Sequence, residues 1–81
     1  MEPNNKYIDY KFSVSSYNKN IIISNPYNLK GKILIYDIIG NELYNIGLND
    51  DKKIIEMKIT GIYFVEIITS KKIFNKKILI Y

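Results

Sequence analysis

Apolar residues in this chain come in short runs, most of them alternating with polar ones, and each run stops at Asn, Asp, Gly, Lys or Ser. Ile, Tyr, Phe, Val and Thr fill the runs, and these side chains pack well on a pleated, half-buried surface. The pattern predicts seven strands: residues 7–14 (YIDYKFSV), 20–24 (NIIIS), 31–37 (GKILIYD), 41–46 (NELYNI), 52–57 (KKIIEM), 61–69 (GIYFVEIIT) and 72–80 (KIFNKKILI). No window of eleven residues holds apolar groups at helical spacing with helix formers between them, so an all-β chain is expected.

The segments between the runs have turn chemistry: SSYNKN, NPYNLKG, IIGN and GLNDD. Connections this short join antiparallel neighbours or cross between sheets, whereas parallel strands need a dozen residues or more. A sandwich of two small antiparallel sheets follows. In the sixth strand Ile62, Phe64, Glu66 and Ile68 point one way and Tyr63, Val65 and Ile67 the other. Both faces are largely apolar, as expected of a strand covered on both sides or of a module that docks against something. In the seventh strand Ile73, Ile78 and Ile80 are interrupted by Asn75, Lys76 and Lys77, and lysines on an edge strand deter edge-to-edge aggregation.

Length sharpens the picture. Eighty-one residues make one domain with a limited core, so nearly every apolar side chain must be buried and little is left to build a deep active site. The boundaries expected are a flexible segment or linker over residues 1–6 and a single sandwich over 7–81. No apolar run approaches the ~18 residues of a membrane span, and the opening MEPNNKYIDY lacks the apolar core of a signal peptide.

Twelve basic residues against eight acidic ones give a net charge of +4, the basic ones being lysines scattered along the chain, which reads as a solvated surface. There is no cysteine and no histidine. Disulfides, thiolate metal sites, cysteine nucleophiles and the usual histidine base are thereby excluded.

The candidate chemistry is correspondingly thin. Asp37 ends an apolar strand, as metal-binding or phosphoaccepting aspartates do in α/β enzymes, but that role needs a parallel sheet flanked by helices. The residue is better read as a turn carboxylate accepting backbone N–H groups two residues on, with Gly40 supplying a positive φ. Asn49, Asp50 and Asp51 lack the alternate spacing of a calcium loop and read as a solvated turn. Glu56 and Glu66 each stand alone on a strand, without the partner a glycosidase needs. Eight Tyr and three Phe among lysines are ingredients of a nucleic-acid stacking platform, yet arginine is absent and no RNP-like run occurs. Tyrosines packed in a small β core account for them, and neither an enzyme nor a nucleic-acid binder is expected.

The order of the motifs says more. KILIYDIIGNEL, then GIYFVEI, then a final lysine-bearing KKILIY resembles the C-terminal sorting domain (type A) of type IX secretion cargo in Bacteroidetes, the Por secretion system. That family reads as an IYDxxGxxV strand and turn, a GxYxVxI strand and a closing KKIIxx strand, and the match covers about residues 12–81. The chain diverges where the family has YPNP, carrying Ser-Ser-Tyr-Asn instead, and Ile59-Thr60 stands where Leu-Pro commonly precedes the glycine.

The resemblance implies an immunoglobulin-like sandwich with no catalysis and no cofactor or metal. Its role would be an address label, joined to a passenger domain upstream. An outer-membrane translocon and its shuttle protein would recognise it, and a sortase-like peptidase would remove it. Cargo of this kind is secreted or held on the cell surface after passing the periplasm, touching the outer membrane only through partners. Carried onto this chain, the recognition positions are Gly61, Tyr63, Val65, Lys76, Lys77 and Ile78, with Tyr36, Asp37 and Gly40 forming the fold. A final strand with a free edge and an apolar face suits strand pairing plus side-chain pockets, and its lysines suit an acidic receptor. The competing expectation is an immunoglobulin-like adhesion or carbohydrate-facing accessory module of an extracellular protein.

Overall fold

The computed structural model describes residues 9–81. Seven strands run β1 Ser13–Tyr17, β2 Asn20–Ser24, β3 Gly31–Tyr36, β4 Glu42–Leu48, β5 Lys52–Glu56, β6 Gly61–Thr69 and β7 Ile73–Ile80. They form two sheets, ordered β1-β2-β5 and β4-β3-β6-β7, and all neighbours pair antiparallel. The chain therefore crosses from one sheet to the other after β2, back after β4 and over again after β5. That is the strand order of an immunoglobulin-like sandwich.

The inner faces close on one apolar core. Val14, Ile21, Ile23 and Ile55 from the three-stranded sheet meet Ile33, Ile35, Leu48, Tyr63, Val65, Ile67, Ile78 and Ile80 from the four-stranded one. Phe12 and Met57 close the ends of the cluster. The core residues of each strand fall at alternate positions, as the pleat requires, while Ser16, Lys53 and Lys76 share that parity at the margins. Tyr63 spans both environments: its ring is buried and its hydroxyl donates to the carbonyl of Ile59, four residues upstream. A tyrosine at the start of this strand tying down the preceding corner is a recurrent device of such sandwiches.

The first strand differs from the expected 7–14. Residues 7 and 8 lie outside the described residues, as does the expected linker, and residues 9–12 are not a strand. The side chain of Asp9 accepts the Lys11 amide at 2.9 Å, and Lys11 takes φ of 56°. This local carboxylate turn competes with an extended backbone and delays the strand to Ser13. Pairing then runs on through Tyr17, and the turn shrinks to Asn18 and Lys19, with φ of 54° and 67°. Two successive positive φ values are the signature of a type I′ hairpin, whose twist matches the strands it joins.

A single side chain fastens two of the crossings. Asn25 is fully buried, and its amide donates to the carbonyls of Leu29 at 2.9 Å and Asp50 at 2.8 Å while accepting the Leu29 N–H at 3.1 Å. Its own N–H donates to the Asp51 carbonyl at 2.8 Å. The β2–β3 and β4–β5 connections are thus bound to each other rather than left as independent loops. Asp50 and Asp51 serve here as main-chain acceptors.

Candidate recognition surface

Asp37 sits one residue past β3, and its position is a turn. Its Oδ1 accepts the N–H groups of Ile39 at 3.1 Å and Asn41 at 2.9 Å, and its Oδ2 accepts the Asn41 side chain at 3.1 Å. Its carbonyl accepts the Gly40 N–H at 3.0 Å, and Gly40 adopts φ of 93° so that the chain can reverse. Desolvation alone would raise this carboxyl, but the hydrogen bonds from Asn41, Ile39 and Gly40 outweigh it and hold it below its ordinary value. Among the described residues no group of three or more acidic, histidine or cysteine side chains converges to hold a metal ion.

The three motif segments fall on three adjacent strands. KILIY is β3, GIYFVEI belongs to β6 and KKILI to β7, and the sheet order places β6 between the other two. Register aligns Tyr63 with Ile78, Val65 with Lys76 and Phe64 with Lys77. Gly61, which opens β6, pairs with Ile80.

Those positions do not all face the same way. Tyr63, Val65 and Ile78 are buried in the core, so they shape the sheet from within. Lys76 shares their parity. Its stem runs along the open side of the sandwich and its Nζ donates to the Val14 carbonyl of β1 at 2.8 Å. Ser16 adds a second stitch, its hydroxyl reaching the Leu79 carbonyl at 3.0 Å. Lys76 therefore closes the seam between the two sheets, and Lys77, of opposite parity, projects from the outer face.

That outer face has a structure of its own. Cross-strand register places Leu34 between Asn45 and Glu66, with Asn75 beyond Glu66, and places Tyr36 beside Phe64, with Lys77 beyond it. Leu34 is only 7% exposed yet lies outside the main core cluster. Its cross-strand neighbours on the outer face are Asn45 and Glu66, so this leucine is buried on the far side of the sheet from the core. Around it Phe64, Ile73 and Leu79 remain exposed. Tyr36, Phe64, Glu66, Asn75 and Lys77, together with Val65 and Lys76, line a shallow notch of about 390 Å³. Burial first, and then the negative charges of Glu66 and Glu42, raise the Tyr36 phenol above its ordinary value, the Glu66 carboxylate helping to retain its proton.

Two of these features escaped the sequence reading. Leu34 belongs to the unbroken run ILIY, and an unbroken run marks a strand covered on both faces, which was the available signal. Asn25 in NPYN reads only as a turn residue, and its bond to the Asp50 carbonyl, 25 positions away, leaves no local signal. No protein-family model matches the chain, and no curated protein matches it in sequence.

Proposed function

We propose that this domain is a non-catalytic C-terminal sorting module of the type IX kind, read by an outer-membrane translocon and its shuttle protein to send an attached passenger to the cell exterior. The observation that carries the reading is the placement of the ordered motifs. The three segments that resemble the sorting family are hydrogen-bonded neighbours in one sheet, and the last of them is an edge strand. A receptor can add a strand to such an edge and read side chains at alternate positions.

Burial divides the labour among the recognition positions. Gly61, Tyr63, Val65 and Ile78 set the shape and register of β6 and β7, and Lys76 pins β7 to β1. Lys77 is the charged group left facing outward, beside Phe64 and Asn75, and it is the one an acidic receptor would read. Release by a sortase-like peptidase acts on the passenger junction and asks nothing of the sandwich itself.

The test is a fusion. Residues 1–81 are attached behind a secreted reporter in a Bacteroidetes strain with a working type IX system and in a mutant lacking the translocon. Reporter outside the wild-type cells and retained in the mutant is the expected result. Equal retention in both, with the domain folded, rejects the reading.

A further inference from the structure

The outer face of the four-stranded sheet is the largest feature that the core does not explain. Its charges balance: Lys32 and Lys77 against Glu42 and Glu66, in a chain whose net charge is +4. A receptor can set one acidic group against Lys77, but the balanced face as a whole offers no net field to hold a highly charged partner. A second copy would find everything it needs, because across a two-fold axis each patch meets its own image. Glu66 and Lys77 lie on adjacent strands two register positions apart on the same face, Glu66 opposite Asn75 and Lys77 opposite Phe64. Antiparallel stacking of two such faces can set Glu66 of each copy against Lys77 of the other, with Phe64 packed between and Leu79 flanking the pair.

The available area also fits this occupant. β6 has nine residues, which at ~3.3 Å each span roughly 30 Å, and four strands at ~4.8 Å spacing span roughly 19 Å. The product is on the order of 570 Å² a side and about 1,100 Å² in all, at the lower end of specific interfaces. We infer that two copies of this domain associate weakly and symmetrically through the outer face of the β4-β3-β6-β7 sheet, held by the exposed apolar side chains and a reciprocal Glu66–Lys77 pair. Because this pairing covers Lys77, a receptor that reads Lys77 takes the monomer. The pairing itself does not depend on the sorting role.

Sedimentation velocity over a range of concentrations tests it on the whole chain, with Lys77→Glu, Glu66→Lys and the double exchange compared at low salt. Circular dichroism checks that each variant folds, since Lys77 is exposed but Glu66 is half-buried beside Leu34. The wild type is expected to show a concentration-dependent dimer. Each single exchange is expected to weaken association by about tenfold or more, since like charges then face each other, and the double exchange to restore it. A monomer at every concentration overturns the inference. So does a dimer indifferent to the exchanges, including one lost on substituting Ile54 on the β5 edge, which would point to edge pairing.

Discussion

The two sheets turn very different backs to the solvent. On the three-stranded sheet the outward positions include Ser13, Ser15, Asn20, Ser24, Lys52 and Glu56, and Tyr17, Ile22 and Ile54 interrupt them. On the four-stranded sheet the outward positions of β3, β6 and β7 include Leu34, Tyr36, Ile62, Phe64, Ile68, Ile73 and Leu79. Both sheets contribute equally ordinary inner faces. The first is largely polar, with Tyr17 and Ile54 as its exposed large hydrophobic side chains. The second carries apolar surface beyond what the core uses, and contiguous exposed apolar surface of this kind marks contact with another molecule.

Substitutions can break that contrast. The largest effect is expected where the two sheets are tied together: Asn25→Ala strands the carbonyls of Leu29 and Asp50 and the Leu29 amide, and is expected to cost about 3 kcal/mol in chemical denaturation. The contrast is sharpened by a matched pair. Leu34→Ala is expected to cost about 2–3 kcal/mol although it points away from the core, because its neighbours bury it. Ile22→Ala, half-buried on the polar back, is expected to cost under about 1 kcal/mol. Equal losses would mean that the burial of Leu34 on the outer face adds nothing.

Tyr63→Phe tests whether the buried tyrosine works through its ring or through its hydroxyl. The ring stays in the core and the bond to Ile59 is lost, so about 1–2 kcal/mol is expected, with the outer face unchanged. Smaller still is Lys19→Gly in the β1–β2 hairpin. Glycine accepts the positive φ that lysine resists, so the variant is expected to gain about 0.5–1 kcal/mol, seen as a higher Tm.

The β3–β4 turn supplies a pH dependence on the other sheet. Because the Asp37 carboxyl is held below its ordinary value in the folded state, its contribution is present above that value, 3.8, and is lost as pH falls through the folded-state value. Wild-type stability is expected to decline below about pH 4 with a component that Asp37→Asn removes.

Much of the fold was legible because the pattern is local. Runs of Ile and Tyr between Asn, Gly and Asp gave seven strands, and the spacing of Asp37 and Gly40 described a turn within five residues. What escaped depends on partners far along the chain or on parity. Nothing in NKYIDYKF announces that Asp9 will capture the Lys11 amide and postpone β1. Ile73 was grouped with Ile78 and Ile80 by residue type, but its odd number puts it on the opposite face, and the same parity separates Lys76 from Lys77. The hairpin after β6 lacks the usual Asn-Gly, and the Thr69 hydroxyl takes over instead, accepting the Lys71 and Lys72 amides and donating to the Lys72 carbonyl. That substitution works through a side chain rather than through backbone freedom, so glycine-seeking rules pass over it.

The most direct measurement compares the two backs in the export assay. Reporter fusions carry either Phe64→Ser with Lys77→Glu on the four-stranded back or Ile22→Ser with Ser15→Glu on the three-stranded back, each domain checked to be folded. Loss of extracellular reporter with the first pair and normal export with the second is the result predicted. Normal export with the first pair, or loss only with the second, would contradict the account.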